Sequence, residues 1–266
     1  MERQPAVAGM FYPGDPRELE ATVKELIGPD PGQEKALAVV APHAGYIYSG
    51  AIAGQVYGRI RVPPVAVVLC PNHTGLGTRA SIMCGGRWRI PGHVIPVAEK
   101  LAERIKELGK LQEDPLAHQR EHAAEVHLPF LAQRNPRVAI VPICLAYMPF
   151  DRCAEIGRAI ASAIGDQAGD TLIVASTDMS HQIPARTAEK LDRLALDCVE
   201  NLDAEALYAT VTENNITMCG FIPTSIAIVA AKELSAVEAR LVRYGNSGET
   251  TGDYHRVVGY AGLIIR

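Results

Sequence analysis

Short runs of β-branched and apolar residues alternate along the chain with stretches of helical periodicity. The clearest runs are VAVVLC at residues 65–70 and TLIVAS at residues 171–176, each followed by polar residues. This alternation is typical of layered α/β proteins, in which helices cover the faces of a sheet. We therefore predict an α/β fold with a central mixed, largely parallel sheet flanked by helices.

The predicted elements follow one another closely. Strands are predicted at residues 36–41, 65–70, 80–83, 138–143, 171–176, 239–244 and 257–264. Helices are predicted at residues 49–60, 97–108, 121–133, 151–164, 187–201, 204–212 and 220–234, with Ser49 capping the first and Pro129 kinking or ending the third. Neither a repeat nor a change in composition marks a linker, so residues 1–266 are predicted to form a single domain.

Charge and composition exclude several classes of function. The 26 basic and 30 acidic residues give a net charge of -4, which offers no electrostatic footprint for nucleic acid or an anionic membrane. Apolar stretches stay well short of the roughly 18 residues that cross a bilayer, and the first residues lack the apolar core of a signal peptide. We predict a cytoplasmic protein without a nucleic-acid or membrane partner.

Three of the predicted strands run into histidine-containing turns. The first strand leads to His43 and the second leads to His73. The fifth strand leads to Asp178 and His181. If these strands are parallel, the turns lie together outside the carboxyl ends of the strands, where open α/β sheets bind ligands. One such histidine alone is more often a hydrogen-bonded loop residue, but three at equivalent strand ends predict a shared site.

Cys219 directly precedes the predicted helix at residues 220–234. The positive end of the helix dipole is expected to lower the pKa of the thiol and to favour thiolate. Two imidazoles with one anionic ligand form a competent site for a divalent transition metal. A carboxylate such as Asp178 as third ligand suits non-heme Fe(II), whereas a thiolate also admits Cu or Zn. His181 is then an acid/base candidate beside Asp178.

A second cluster, EHAAEVHLP at residues 121–129, is also rich in potential ligands. On a helix, Glu121 and Glu125 are neighbours one turn apart, and His122 can share their face toward the site. The spacing differs from H-E-x-x-H, so a zincin is excluded. A solvated face, or a role in holding the metal ligands from behind, is the alternative. We expect Glu125, His127 and Tyr46 to line the pocket or to support its ligands.

Taken in order, these motifs resemble those of the Memo family. The resemblance covers nearly the whole chain and rests on AGMFYP (8–13), APHAGY (41–46), PNH (71–73), EHAAEVHLP (121–129), STDMSH (176–181) and MCG (218–220). It implies a fold similar to that of the extradiol ring-cleaving dioxygenases of the protocatechuate type, which use non-heme iron.

The resemblance further implies a metal pocket formed by His43, His73 and Cys219, with Asp178 and His181 beside it as catalytic groups. The dioxygenases use a carboxylate as third ligand, so a cysteine at that position argues against ring cleavage. Memo proteins have been linked to iron or copper binding, to redox chemistry and, in animals, to phosphotyrosine-peptide binding. Bacterial and archaeal members often accompany a radical-SAM protein, which implies a functional association here.

Two classes of function follow. The first is a redox protein or oxidoreductase with a dioxygenase-like pocket that holds Fe(II), with Cu or Zn as alternatives, and acts on an unknown substrate. The second is a non-catalytic binding module that uses the same pocket for a peptide or a small anionic ligand. A Zn hydrolase is a third reading, because two histidines and one cysteine with an open position also suit Zn.

Overall fold

The computed structural model describes residues 1–29 and 31–266, in which strands and helices alternate along the chain. The strands are β1 (Glu2–Arg3), β2 (Ala38–Ala41), β3 (Val65–Pro71), β4 (Ala80–Ile82), β5 (Arg87–Ile90), β6 (His93–Pro96), β7 (Gln112–Glu113), β8 (Ala139–Leu145), β9 (Thr171–Ser176), β10 (His181–Ile183), β11 (Ala239–Asn246) and β12 (Val257–Ile265). The α-helices are α1 (Pro16–Ile27), α2 (Ala51–Arg59), α3 (Glu99–Gly109), α4 (Leu116–Gln119), α5 (Leu128–Arg134), α6 (Phe150–Ile164), α7 (Ala185–Glu200), α8 (Ala204–Glu213), α9 (Phe221–Glu233) and α10 (Gly248–Thr251).

A central sheet carries the fold. In the described part of the chain its order is β10-β12-β2-β9-β3-β8-β4-β7, and β11 pairs with β12. The pairs β2–β9, β9–β3 and β3–β8 are parallel, whereas β12 and β4 join them antiparallel. The predicted mixed, largely parallel sheet is therefore confirmed. A separate small sheet has the order β1-β5-β6.

Helices flank this sheet. Helix α9 contacts β9, β3 and β2 and packs against α6, which in turn packs against α3. Helix α2 contacts β12, β11 and β2 and packs against α1 and α5. The strands between these helices are buried along almost their whole length, as expected for parallel strands covered on both faces. In the described residues, no helix has both the length and the apolar character needed to cross a bilayer.

Every predicted element except the helix at residues 121–133 agrees with the structure to within two residues at each end. A π-helical turn, Tyr46–Gly50, precedes α2, and Ser49 is not its cap. The Ser49 N–H already donates to the Gly45 carbonyl, and its hydroxyl donates to the Ala44 carbonyl at 3.0 Å. Helical hydrogen bonding has therefore begun before Ser49.

The predicted helix at residues 121–133 is shorter than expected. Residues 121–124 are not helical, a 3-10 turn spans Glu125–His127, and α5 starts at Leu128. Pro129 lies in the first turn of α5, where its missing N–H leaves no helical hydrogen bond unmade. Pro129 thus marks the start of a helix instead of its end, and Glu121 and Glu125 do not share a helix face.

Candidate metal centre

The carboxyl ends of β2, β9 and β3 bring the three predicted turns together, because these strands are neighbours and parallel. The turns enclose a cavity of about 420 Å³. His43, His73, Asp178 and His181 all line it. Four of the predicted site residues therefore lie together, as expected for turns that follow parallel strands.

His43 and His73, which line the cavity, and Cys219, which lies behind His43, each offer one potential ligand atom. These atoms lie within 4.8 Å of one another, and Cys219 Sγ is 3.3 Å from His43 Nε2. A bound ion with bonds of about 2.0–2.3 Å would hold such atoms about 3–4 Å apart. The spacing and the donor chemistry therefore fit a transition metal after small side-chain adjustments.

His43 is buried and held at two points. Its backbone N–H donates to Asp178 Oδ1 at 2.8 Å, and its Nδ1 lies 2.7 Å from Ser176 Oγ. Burial, together with the neighbouring imidazoles of His73 and His122, lowers the pKa of His43 well below its usual value. The ring is therefore neutral and has a lone pair to offer.

His73 is held by a buried carboxylate. Glu121 accepts the His73 backbone N–H at 2.6 Å and lies 3.0 Å from His73 Nδ1. Burial alone would raise the pKa of Glu121, but hydrogen bonds from His73 and from the Ala123 N–H lower it. Because the Nδ1–H points at this carboxylate, His73 Nε2 is left for a metal, an arrangement common among metal-binding histidines.

Cys219 lies two residues before Phe221, the first residue of α9, but its thiol is not acidified. Burial, and secondly the Asp178 carboxylate, raise the pKa of Cys219 above its usual value. This direction is opposite to the predicted lowering, because burial penalises the charged thiolate. A coordinated divalent cation would deprotonate the thiol, since metal binding displaces the proton.

Gly220 explains why the segment after Cys219 comes so close to the sheet. A Cβ atom at this position would lie 2.1 Å from the Ser176 carbonyl oxygen and 2.4 Å from the Thr177 Cβ. The Gly220 N–H donates to Thr177 Oγ1 at 2.9 Å. The absence of a side chain thus lets Cys219 reach the end of β9.

Asp178 and His181 stand beside these ligand atoms. Asp178 is buried, its Oδ2 is 3.9 Å from His43 Nε2, and burial raises its pKa to about 6. His181 is half-buried, and its Nδ1 donates to the Thr217 carbonyl at 2.9 Å. This hydrogen bond leaves His181 Nε2 free to accept a proton.

His122 lines the cavity, as the spacing of the second cluster predicted, although it does not lie on a helix shared with Glu121 and Glu125. Its ring stacks on His73 with centroids 4.8 Å apart and meets His43 edge-on at 5.5 Å. The other side of the ring contacts Phe11 at 4.8 Å. In the sequence, this position is indicated by the adjacent Glu121, whose carboxylate orients His73.

Glu125 and Tyr46 lie outside the lining of this cavity. Glu125 is buried and accepts hydrogen bonds from Arg3, from the Tyr12 hydroxyl at 2.5 Å and from two backbone N–H groups of the N-terminal segment. The Tyr46 hydroxyl donates to the Val126 carbonyl at 2.7 Å. Both side chains anchor neighbouring segments. His127 is also buried and contacts Ser176, behind His43.

Another group of potential ligands lies away from the cavity. Cys84, Glu103 and Glu113 offer atoms within 4.8 Å of one another. However, the Lys106 ammonium group forms ion pairs with both carboxylates. A cation of the protein itself therefore already lies at this cluster.

Fold and site together define an α/β protein with two imidazoles and one thiol gathered at the carboxyl edge of a parallel sheet. The family model described as Memo-like protein matches residues 3–264, and the chain belongs to the Memo-like family. It is 42% identical over 265 residues to a MEMO1 family protein of Aquifex aeolicus, covering 99% of this chain and 98% of the relative. It is 39% identical over 276 residues to one of Methanothermobacter thermautotrophicus, covering 99% of this chain and 100% of the relative.

A solved structure supports the fold alone. The crystal structure of the uncharacterized protein JW3007 from Escherichia coli K12 superposes with a TM-score of 0.58 at 15% sequence identity. The match covers 85% of this chain and 98% of that one. The layered arrangement is therefore shared with a protein of low sequence identity.

Proposed function

We propose that this Memo-like protein binds a transition metal through His43, His73 and Cys219 and uses it in redox chemistry on a small ligand. Fe(II) is the proposed metal, with Cu or Zn as alternatives. The observation that carries the proposal is the approach of three donor atoms, from three separate segments, to within 4.8 Å of one another.

The chemistry of the donor set supports an open site. Two neutral imidazoles and one thiolate leave coordination positions free, and a metal bound there would supply Lewis-acid or redox chemistry to a ligand in the cavity. His43 and His73 both have an Nδ1 that is already hydrogen-bonded, so both present Nε2. The cavity beside them gives a ligand access to this position.

His181 and Asp178 are the proposed catalytic groups. The bond from His181 Nδ1 to the Thr217 carbonyl fixes the tautomer in which Nε2 is a proton acceptor. His181 would take a proton from a ligand hydroxyl and return it later in the reaction. Asp178 holds the backbone of His43 and places a carboxylate beside its ring.

Anaerobic titration with Fe(II), and with Co(II) as a spectroscopic probe, tests the proposal. We expect one ion per chain for the wild type and a thiolate-to-cobalt absorption band that Cys219→Ala abolishes. The affinity of Cys219→Ala should fall by at least the roughly 10–100-fold seen when metal sites lose a supporting partner. Cys84→Ala is the matched control, because it removes a cysteine from the other ligand cluster. Equal, weak binding by all three proteins would refute the proposal.

A binding module without turnover is the second candidate. The rim of the cavity favours it, because the side chains of Met10 and Ile47 are 73% and 72% exposed and offer an apolar surface to a peptide. In that case His181→Ala would bind its ligand normally, and the wild type would consume no O2 with any catechol.

Metal analysis of protein purified without added metal distinguishes a Zn hydrolase from these two candidates, because a Zn hydrolase would contain Zn at full occupancy. Association with a radical-SAM protein stays a prediction.

A further inference from the structure

The hydroxyl group of Ser176, at the end of β9, lies at the meeting point of three segments behind the metal centre. Its Oγ is 2.6 Å from the Ala123 carbonyl oxygen, 2.7 Å from His43 Nδ1 and 2.9 Å from His127 Nε2. Ser176 and both histidines are buried. Water therefore does not compete for these hydrogen bonds, and the donors and acceptors follow from the contacts within the protein.

A serine hydroxyl has one hydrogen to donate and two lone pairs to accept with. A carbonyl oxygen can only accept, so the single hydrogen of Ser176 points at Ala123. Both imidazole nitrogens must then donate to Ser176 Oγ. His43 therefore carries its proton on Nδ1, and its Nε2 presents a bare lone pair 3.3 Å from Cys219 Sγ.

The contacts of His127 are consistent with this assignment. Burial lowers the pKa of His127 to about 3, so the ring is neutral and has one N–H. That hydrogen is on Nε2, facing Ser176, which makes Nδ1 an acceptor. The Tyr57 hydroxyl lies 3.1 Å from Nδ1 and can donate to it. Every donor in the hydrogen-bonded series Tyr57, His127, Ser176 and His43 thus has an acceptor.

We propose that Ser176 is a positioning residue of the metal centre, which fixes His43 in the Nδ1–H tautomer and is itself locked by the buried pair His127 and Tyr57. The proposal rests on the proposed function in so far as Nε2 of His43 is a metal ligand. It assigns to Ser176 the task that the Glu121 carboxylate performs for His73. One ligand imidazole is therefore oriented by a neutral group and the other by a charged one.

The tautomer of His43 can be read directly in the metal-free protein. Long-range 1H–15N correlation spectra of histidine-labelled protein distinguish the protonated from the bare ring nitrogen. We expect the wild type to show His43 protonated on Nδ1 and His127 on Nε2. In Ser176→Ala, His43 should shift wholly or partly to the Nε2–H form, and Co(II) affinity should fall by about 10–100-fold.

Two matched variants separate positioning from packing. Ser225→Ala removes a buried hydroxyl on α9 that has no hydrogen-bond partner among the described residues, so it should retain the wild-type tautomers and affinity. Ser176→Thr retains the hydroxyl group and should restore the Nδ1–H form of His43. Retention of that form and of wild-type affinity by Ser176→Ala would overturn the proposal.

Tyr57→Phe provides a test should Ser176→Ala fail to fold. It removes only the donor to His127, because the ring keeps its stacking on Phe130 at 5.3 Å. We expect a mixture of His127 tautomers and a smaller loss of Co(II) affinity than in Ser176→Ala. An unchanged His127 tautomer with wild-type affinity would contradict the locking role.

The NMR spectra also distinguish a failure of this proposal from a failure of the proposed function. A wild-type protein with His43 protonated on Nε2 overturns the role of Ser176, whatever the metal does. A wild-type protein with the expected tautomers that binds no Co(II) supports the hydrogen-bond assignment and refutes the metal site instead.

Discussion

Glu121 holds His73 at two points, with its carboxylate 2.6 Å from the backbone nitrogen and 3.0 Å from Nδ1 of the same residue. A third donor, the Ala123 N–H, reaches the carboxylate at 2.9 Å. A fully ionised carboxylate is the group that can accept from all three donors at once. The position and the tautomer of His73 are therefore fixed together by one side chain.

Glu121→Gln should weaken metal binding while retaining the fold. The amide group would turn an N–H toward one of three N–H donors, which leaves that donor unpaired and costs about 1–3 kcal/mol of unfolding free energy. We expect Co(II) affinity to fall by about 10–100-fold. Titration together with urea unfolding checks both effects. Unchanged affinity would show that Glu121 does not orient His73 for a metal.

Glu125→Gln should reduce stability while leaving metal affinity nearly unchanged. Arg3 and Glu125 form a buried ion pair, so removal of one charge should reduce the unfolding free energy by about 3–5 kcal/mol. Because Glu125 lies outside the cavity lining, the Co(II) affinity of the folded protein should stay within a few-fold of wild type. Urea unfolding and titration of the same samples measure the two. A larger loss of affinity than of stability would place Glu125 at the metal centre.

Gly220→Ala should disturb both the fold and the metal site. The new Cβ would overlap the Ser176 carbonyl, and overpacking of this kind costs about 1–3 kcal/mol. The shift needed to relieve the overlap displaces Cys219, so Co(II) affinity should fall as well. Gly85→Ala is the control, since the nearest atom to its Cβ would be 3.5 Å away. Equal thermal stability of both variants would contradict the close approach.

Stability should fall on acidification below about pH 6.5. Burial lowers the pKa of both His118 and His127 to about 3, so these rings stay neutral in the fold but take up protons when unfolded. Each therefore contributes stability that is present above about pH 6.5 and is lost toward pH 3, at about 1.4 kcal/mol per pH unit. Asp178, with its pKa raised to about 6, binds a proton in the fold and offsets one of them.

Urea unfolding at pH 7 and pH 5 measures this loss. His118→Gln should reduce the difference between the two pH values, because one of the buried rings is gone. A wild-type protein equally stable at both pH values would show that these histidines are protonated, or exposed, in the fold.

The sequence predicted the convergence of His43, His73 and Asp178 because that follows from parallel strands alone. Buried apolar runs identified β2, β3 and β9, and the carboxyl ends of neighbouring parallel strands must meet at one edge. The sequence-based inference assumed that the strands are parallel, and the structure adds that they are neighbours in the order β2-β9-β3. This part of the site could therefore be predicted without knowledge of side-chain contacts.

The roles of Glu121 and Glu125 could not be predicted in the same way. Their spacing predicts one helix for both, whereas the chain turns between them, so that Glu121 contacts His73 and Glu125 contacts Arg3. Arg3 is separated from Glu125 by 122 positions in the sequence, and no local spacing indicates such a partner. The sequence supplied the residue types, and tertiary packing decided which carboxylate serves the site.

A local signal was missed at β5 and β6. These strands pair antiparallel across Pro91 and Gly92, and Gly92 has a φ of +81°. Two short runs around such a dipeptide are typical of a hairpin. The hairpin itself was therefore predictable, unlike its parallel pairing with β1, which joins Arg3 to the distant Trp88.

The anchoring of the N-terminal segment by Glu125 and Tyr12 has a practical consequence for handling this protein. Met10 and Phe11 follow directly from the anchored residues and form part of the cavity wall. A purification tag fused ahead of Met1 joins the chain next to these anchors, so any strain that it places on them would be passed to Met10 and Phe11 at the cavity. Affinity handles should therefore be attached after Arg266, and preparations tagged at the two ends should be compared before any ligand screen is interpreted.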